Sequence, residues 1–392
     1  MVVASVKILM VVESHAKRAG GGPRYWAQLS EGLLQRGHEV VIVSGTPEDD
    51  EFASPNTVGL LPVGSDLRSR SVSTLFQRFL FRRRYVPLVR EFARRWKPDI
   101  IHTVQPIASE AALRAGEELG VPVVASVLSH VEAQWSRLER GMGRAQLFRF
   151  LESRALHQSF TRIICLTHRS EEVLVQEGVP RERIVYVPHA VDVSSFHSGV
   201  EPKYRKQQNL STDAFVIGYA GALTADKGFD KLLEAVIQLE SVDQLHLLVA
   251  GEAAGYHRWM ELTKGTSARK LHFLGRLDHE EMPAFMASLD LFMIPSLTET
   301  LPTSLLEALA TGTPVMASAV GGVAEFLQSE WGITMEVPEL EGMAELLESW
   351  LPRRTELQMM GHRGQTYVHE HHNWNRTTEL TEGVYLSCLE QP

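Results

Sequence analysis

Short apolar runs alternate with longer amphipathic stretches along the chain, which is the pattern of a parallel β-sheet covered by α-helices. The amphipathic stretches predict helices between the runs, for example over residues 22–37 and 108–120. Gly37 and Gly120 stand where helices commonly end in a left-handed residue, so they predict the ends of these two helices. In the first half of the chain the apolar runs predict strands over residues 6–12, 39–45, 99–104, 122–129, 162–167 and 184–190.

A second series of the same kind follows a polar, non-periodic stretch over residues 197–212, which we interpret as an interdomain connection. The fold class is therefore predicted to be α/β, with two Rossmann-like, doubly wound domains that face a cleft. We place the first domain at residues 1–195 and the second at 196–370, and we expect a C-terminal helix over 371–392 to pack back on the first domain. The strands predicted in the second series cover residues 215–221, 245–251, 270–275, 289–296, 314–318 and 331–337.

Length and composition favour the same organisation. The chain has 392 residues, more than one hydrophobic core usually supports, so two domains are expected. Its two cysteines cannot form a disulfide framework, which fits a reducing cytoplasm. The net charge of −9 argues against general binding of nucleic acid. Because the apolar runs are too short for a bilayer and no small-residue cleavage site follows the first of them, we expect no membrane crossing.

The charge is unevenly distributed, and one segment is strongly basic. Between Arg68 and Lys97 there are ten lysines and arginines and one acid, Glu91. Such a composition is typical of a helix that lies on an anionic lipid surface, so residues 68–97 predict a peripheral location on the inner face of the membrane. A solvated basic helix with its aromatic side chains in the core is equally compatible with the pattern. The interleaved aromatic residues are Phe76, Phe79, Phe81, Tyr85, Phe92 and Trp96.

The stretch TETLPTSLLEALATG, residues 298–312, carries the clearest candidate chemistry. Glu299 comes just before a predicted helix, and Glu307 lies inside it, one turn beyond Thr303. One interpretation is structural. Ser304 and Glu307 have the spacing of a capping box, and the negative charge of Glu299 is stabilised by the positive end of the helix dipole. The other is that the free amides of residues 300–303 bind a phosphate while the two acids bind sugar hydroxyls. A nucleotide sugar would satisfy all three features.

This stretch resembles the segment of two glutamates, separated by seven residues, in the family 4 glycosyltransferases, which are retaining enzymes with the GT-B fold. Further stretches resemble the same family in the same order, so the resemblance covers nearly the whole chain. ESHAKRAGGGPRYWAQLSEGLLQRGHEVVIVSG is similar to the N-terminal glycine loop, helix and strand, and YVPHAVDVSSF is similar to the interdomain segment, with His189 and Ala190 in place of Asn and Gly. YAGALTADKGFDKLLEAV and LLVAGE are similar to the opening of the nucleotide-binding domain.

The resemblance implies a catalytic group made of Glu299, His130 and Lys227. Glu299 would contact the donor sugar near the reacting carbon, and His130 would lie near the anomeric centre. Lys227 would neutralise the diphosphate, whose charge develops as the glycosidic bond breaks. The family is thought to use such positioned charges without a metal ion, so neither a metal nor another cofactor is expected.

The resemblance also implies a donor-binding set. Glu307 would hold the ribose, and the backbone amides near Leu301 and Thr303 would meet the sugar or the diphosphate. In the first domain, Gly21 and Gly22 would allow close backbone approach to the diphosphate or the acceptor. Glu325 would lie at the rim of the nucleotide domain.

The chain departs from the family pattern at Ala222, where the family usually has an arginine that grips the diphosphate. Losing an arginine that binds the phosphate through two hydrogen bonds is expected to weaken diphosphate binding, because charge-assisted hydrogen bonds are strong. Arg276, at another predicted strand end, is our candidate substitute; it would otherwise line the base pocket or lie on the surface.

The predicted function is transfer of a sugar from a nucleoside diphosphate sugar, UDP- or GDP-linked, to a glycan or lipid-linked acceptor bound mainly by the first domain. Two alternatives remain open from the sequence: a protein of the same fold that binds sugar nucleotides with reduced or no transfer, and a nucleotide-sugar epimerase. A nicotinamide-dependent oxidoreductase is disfavoured, because no tight G-x-G-x-x-G follows the first predicted strand.

Overall fold

The structure is a computed structural model that describes residues 5–12, 21–45, 56–60, 72–104, 106–128, 160–239, 241–242, 244–251, 270–336 and 342–390. It divides into two compact units. The N-terminal unit comprises residues 1–188 together with 374–392, and the C-terminal unit comprises 189–373. The chain thus passes between the units a few residues away from the predicted boundaries at 195 and 370. Within the described ranges, no helix is both long enough and apolar enough to span a bilayer.

The N-terminal unit is built on a seven-stranded sheet. The strands are β1 (Lys7–Val12), β2 (Glu39–Ser44), β3 (Thr57–Gly59), β4 (Ile100–Thr103), β5 (Val123–Val127), β6 (Arg162–Cys165) and β7 (Ile184–Tyr186). Their order in the sheet is β3-β2-β1-β4-β5-β6-β7, and the paired strands all run parallel. Most strand residues are apolar and buried, as expected when helices cover both faces of a parallel sheet. The described helices of this unit are α1 (Gly21–Gln35), α2 (Val72–Trp96), α3 (Pro106–Leu119), α4 (His168–Gln176) and, from the end of the chain, α12 (Trp374–Leu389).

Helix α2 contains most of the basic segment, and its C-terminal half packs into the core through aromatic side chains. Tyr85 is fully buried and its hydroxyl donates to the Val12 carbonyl oxygen at 2.6 Å. Phe92 and Trp96 pack against the same core. These three aromatic residues therefore follow the core-facing interpretation of the segment, whereas Arg83 and Arg84 are exposed. Residues 68–71 lie outside the described part of the chain.

A buried polar network joins helix α12 to the sheet of the N-terminal unit. His102, on β4, is fully buried; its Nδ1 lies 2.6 Å from the Tyr385 hydroxyl and its Nε2 lies 2.8 Å from Ser126 Oγ. Burial lowers the pKa of His102 to about 3, because the apolar surroundings disfavour the charged imidazolium. The imidazole is therefore neutral at neutral pH and holds the C-terminal helix in place by hydrogen bonds.

Acidification is expected to destabilise the protein through His102. The pKa of histidine falls from 6.5 in the unfolded chain to about 3 in the folded one, so the unfolded state binds more protons as the pH falls below 6.5. Stability is lost at roughly 1.4 kcal/mol per pH unit, or about 2 kcal/mol between pH 6.5 and 5. Urea unfolding at pH 6.5 and pH 5 measures the free energy of unfolding. It should fall by about 2 kcal/mol more in wild type than in His102→Gln. His362→Gln, an exposed site, is the matched control; equal pH slopes in all three proteins would contradict the assignment.

The C-terminal unit repeats the doubly wound design with a six-stranded sheet. The strands are β8 (Phe215–Ala220), β9 (Leu245–Ala250), β10 (Leu271–Gly275), β11 (Leu291–Ile294), β12 (Val315–Ser318) and β13 (Gly332–Met335). All pairs run parallel, in the order β10-β9-β8-β11-β12-β13. Neighbouring residues of β8 alternate between two cores: Ile217 belongs to one buried cluster and Val216 to the other, so helices cover both faces. The described helices are α5 (Lys203–Gln207), α6 (Phe229–Gln238), α7 (Met282–Ala287), α8 (Thr303–Thr311), α9 (Gly322–Phe326), α10 (Met343–Trp350) and α11 (Arg354–His371).

The predicted fold class, two Rossmann-like α/β domains, is confirmed by these two sheets, but one local prediction is wrong and one strand was missed. Residues 197–212 are not an interdomain connection, because they contain α5 and belong to the C-terminal unit. Tyr204 of α5 is buried, and its backbone N–H donates to Ser288 Oγ at 3.2 Å. Strand β3 was not predicted, since three residues at a sheet edge leave too short a pattern to recognise.

Candidate functional site

The order of strands in the C-terminal unit identifies where a ligand would bind. The sheet grows from β8 through β9 to β10 on one side and through β11 to β13 on the other. The loops that leave the carboxyl ends of β8 and β11 therefore turn to opposite faces of the sheet and open a crevice between them. In open α/β sheets this switch point is where ligands bind. Lys227 lies after β8 and Glu299 after β11, so the two predicted catalytic residues of this unit flank the crevice.

The loop after β8 is held close to the end of β11. It forms a short 3₁₀ helix, Ala225–Lys227, followed by Gly228 in the left-handed conformation with φ of 65°. A Cβ atom at Gly228 would lie 1.8 Å from the carbonyl oxygen of Pro295, so only glycine fits there. The Leu297 N–H donates to the Asp226 carbonyl oxygen at 2.9 Å. The backbone thus presents Lys227 directly to the loop that carries Glu299.

Lys227 and Glu299 form an ion pair. The ammonium Nζ donates to the Glu299 Oε1 at 2.6 Å, and the two side chains are 31% and 13% exposed. Tyr219 lies near this pair. The pKa of its phenol is raised, mainly by burial and secondarily by the charges of Glu299, Asp226 and Asp230. Among the described residues, the site therefore sets the Lys227 ammonium directly beside the Glu299 carboxylate, and an anionic ligand could compete with Glu299 for that ammonium.

The loop after β12 supports Glu299 from the other side. Gly321 has φ of 54° and ψ of −132°, a combination that L-residues with a side chain rarely adopt. A Cβ atom at Gly321 would lie 1.8 Å from the Glu299 carbonyl oxygen. The Gly322 N–H donates to the Thr300 carbonyl oxygen at 2.7 Å. The position of Glu299 thus depends on a glycine twenty-two residues later in the chain.

Helix α8 carries the second glutamate, and the predicted capping box is wrong. The helix begins at Thr303 with Pro302 as its N-cap residue, so Ser304 lies inside the helix and cannot cap it. Glu307 is buried, with 5% of its side chain exposed, and its Oε1 lies 3.8 Å from His279 Nδ1. A buried carboxylate on an otherwise apolar helix costs free energy unless polar partners surround it. Glu307 is therefore not a solvated end-cap.

Two further predicted residues lie at the start of α8. Leu301 is buried in the core, and Thr303 is half-buried as the first helical residue. The Thr303 hydroxyl lies 3.2 Å from Nε2 of His189, a buried histidine. Burial, and secondarily the charge of His372, lowers the pKa of His189 to about 4, so its ring is neutral at neutral pH. The structure thus brings Glu299, Leu301, Thr303 and Glu307 together around one helix start.

The remaining predicted residues have more varied positions. Arg276 follows β10 directly and is exposed, and Glu325 lies in α9. Ala222 is exposed, and its carbonyl oxygen accepts from the Tyr219 hydroxyl at 2.6 Å. In the N-terminal unit, Gly21 and Gly22 open helix α1, which follows β1 at the switch point of that sheet, between β1 and β4. His130 lies outside the described residues.

Sequence reasoning did not identify His279, His189 or Gly321 as parts of this site. His279 lies in the sequence LDHEEM, which is typical of a helix start and contains no motif of a ligand-binding site. His189 was noticed only as a departure from the family pattern. Its contact with Thr303 joins residues 114 positions apart, which no local pattern reports.

Comparisons with known proteins find matches to both halves of the chain. The family model described as Glycosyltransferase Family 4 matches residues 19–195, and the model described as Glycosyl transferases group 1 matches residues 200–367. Together they account for most of the chain. A curated relative, the glycogen synthase of Mycobacterium tuberculosis, is 24% identical over 405 residues, covering 98% of this chain and 95% of the relative.

Solved structures with the same fold cover nearly the whole length of the chain. Sucrose-phosphate synthase from Thermosynechococcus elongatus superposes with a TM-score of 0.82 at 20% identity, covering 97% of this chain and 98% of that one. HepE from Anabaena, in complex with UDP-glucose, superposes with a TM-score of 0.76 at 17% identity, covering 97% of this chain and 100% of that one. At these identities the likeness establishes the fold.

Proposed function

The chain belongs to the family 4 type of GT-B glycosyltransferases, and we propose that it transfers a sugar from a nucleoside diphosphate sugar to a glycan or lipid-linked acceptor. We propose further that the anomeric configuration is retained and that no metal ion takes part. The observation that carries the proposal is the ion pair of Lys227 and Glu299 at the switch point, where Glu299 belongs to the same stretch of chain as the buried Glu307.

The donor would exchange the ion pair for a phosphate contact. In the free protein Lys227 donates to Glu299 at 2.6 Å. When a diphosphate enters, the ammonium would turn to the phosphate oxygens and leave the Glu299 carboxylate to face the donor sugar. As the bond between the anomeric carbon and the phosphate oxygen breaks, the electron pair goes to the diphosphate. The acceptor hydroxyl oxygen would bond to the anomeric carbon on the same face, and its proton would pass to the leaving phosphate oxygen. A fixed cation and the amides at the start of α8 would stabilise that charge.

Glu307 would hold the ribose of the donor, because an ionised carboxylate accepts hydrogen bonds from neighbouring hydroxyls. A UDP-linked donor is the first candidate, since HepE of the same fold has been crystallised with UDP-glucose; a GDP-linked donor is the second. The further donor contacts that we propose are Gly21, Gly22, His130, Arg276 and Glu325, together with the backbone amides near Leu301 and Thr303.

Nucleotide-dependent stabilisation tests this proposal. A thermal-shift screen against UDP, GDP, ADP and their common sugar conjugates should raise the melting temperature with one base, since a ligand that binds only the folded state stabilises it. A positive hit is then assayed for release of the nucleoside diphosphate with glycan acceptors, and NMR of the product reports the anomeric configuration. The proposal fails if none of these nucleotides raises the melting temperature.

A second candidate function is sugar-nucleotide binding without efficient transfer, and Ala222 is the observation that favours it. A methyl group cannot grip a diphosphate where the family has a guanidinium. We propose that Arg276, exposed at the end of β10 in the same sheet, supplies the missing charge. In the screen above, stabilisation by a sugar nucleotide without release of nucleoside diphosphate would favour this second function.

The acceptor is proposed to bind the N-terminal unit, and the exposed Arg83 and Arg84 of α2 would attract an anionic membrane that contains a lipid-linked acceptor. Flotation with vesicles that contain phosphatidylglycerol tests the membrane contact. Wild type should float with these vesicles and the Arg83→Glu, Arg84→Glu double variant should not. Equal flotation of both proteins would remove the membrane from the proposal.

A further inference from the structure

A histidine from a different part of the sheet faces the buried acid of α8. His279 begins the 3₁₀ helix His279–Glu281 after β10, and its Nδ1 lies 3.8 Å from Glu307 Oε1. The His279 side chain is 35% exposed, whereas that of Glu307 is 5% exposed. The imidazole is thus the more solvent-accessible member of this pair.

The separation of these two groups suits a hydroxyl between them. At 3.8 Å the nitrogen and the oxygen are too far apart for a direct hydrogen bond. A carboxylate only accepts, an imidazole N–H donates, and a hydroxyl does both. One hydroxyl oxygen at about 2.8 Å from each group would donate to Glu307 and accept from His279.

The loop that carries His279 is fixed before any ligand arrives. Glu281 accepts from the Asp278 N–H at 3.3 Å and from the Tyr204 hydroxyl at 3.1 Å, which ties the 3₁₀ helix to α5. The ring of Phe196 packs against the imidazole, with centroids 5.4 Å apart. A group held in this way loses little conformational entropy when it binds a ligand.

We propose that His279 is a ribose-recognition residue, which together with Glu307 binds one ribose hydroxyl of the donor nucleotide and so selects ribonucleotides over deoxyribonucleotides. This inference rests on the proposed function, because it needs a nucleotide at α8. It adds to that function His279 as the partner of Glu307 and a preference for ribonucleotides over deoxyribonucleotides.

Deoxynucleotides test the pairing directly. Dissociation constants are measured by calorimetry for UDP and GDP and for their 2′-deoxy and 3′-deoxy forms. For the base that binds, removal of the bridging hydroxyl should weaken binding to wild type about tenfold or more, since it takes a hydrogen-bond partner from both residues at once. In His279→Ala the same removal should cost less than about threefold. His279→Asn, which places an amide N–H near the position of Nδ1, should recover part of the discrimination.

His362→Ala, which changes an exposed histidine on α11, is the matched control and should discriminate like wild type. Melting curves of the three variants report whether each is folded. Equal discrimination in wild type and His279→Ala would overturn this inference alone. Equal binding of ribo- and deoxynucleotides to wild type would do the same, while leaving nucleotide binding intact. If no nucleotide binds wild type, the proposed function fails and this inference with it.

Discussion

Replacing Lys227 with alanine is expected to lower kcat for sugar transfer by about 10² to 10³, the range seen when one charge-stabilising group is removed from an active site. In the free protein Lys227 is bonded to Glu299 at the crevice between β8 and β11. Its charge would be needed most when the diphosphate leaves, so the effect should fall on kcat more than on KM. Steady-state kinetics on the donor identified by the nucleotide screen measures both constants.

Lys231→Ala is the matched control for this prediction. Lys231 lies one turn further along, in α6, where it forms an exposed pair with Glu234 at 3.1 Å, so its removal should leave kcat within about twofold of wild type. Lys227→Arg keeps the positive charge and should recover part of the lost rate. If Lys227→Ala turns over within threefold of wild type, the diphosphate is neutralised elsewhere and the proposed role of Lys227 is wrong.

The fold was predictable because most strands are short runs dominated by apolar residues. In a parallel sheet both faces are buried, so strands such as β1 and β8 leave a signal in four or more consecutive residues. The segments that were mispredicted have no such run. Helix α5 has five residues, of which only Tyr204 is buried, and a single buried residue in a polar stretch shows no period.

The candidate site was predictable only where chemistry coincides with a local pattern. Glu299 and Glu307 were identified because both lie in one stretch at the end of an apolar run. The capping box was mispredicted because Ser304 and Glu307 have the right spacing, but the helix begins at Thr303 and places Ser304 in its first turn. His279 reaches Glu307 from another strand, and that proximity is a property of the sheet order, which no short sequence pattern contains.

The same distinction applies to the basic segment. Aromatic and basic residues alternate along α2, and the composition alone fits a lipid-facing helix and a core-facing one equally well. Tyr85 decides between them for the C-terminal half of the helix, because its hydroxyl donates to the carbonyl oxygen of Val12 at the carboxyl end of β1. The fold brings that carbonyl oxygen to Tyr85 from another part of the chain, so no local sequence pattern reports the contact.

Replacing Gly321 with alanine is expected to damage the site from a distance. The added Cβ would lie 1.8 Å from the Glu299 carbonyl oxygen, and both are backbone-anchored, so one loop must move. The left-handed φ of 54° adds strain, and together these effects should lower the free energy of unfolding by about 3 kcal/mol. Because a shift of about 1 Å in a catalytic group can cost about 10²-fold in rate, kcat/KM should fall by about that factor.

Gly342→Ala separates this effect from a general loss of glycine. Gly342 precedes α10 in the same unit with φ of −92°, and the nearest atom that its Cβ would meet is Glu345 Oε2 at 3.9 Å. Because Gly342 is the N-cap residue of α10, that variant should stay within about 1 kcal/mol of wild type in urea unfolding, and it should match wild type in kinetics. If Gly321→Ala keeps both its stability and its kcat/KM, the loop after β12 does not position Glu299, and Glu299 must be held by the Lys227 contact and the end of β11 instead.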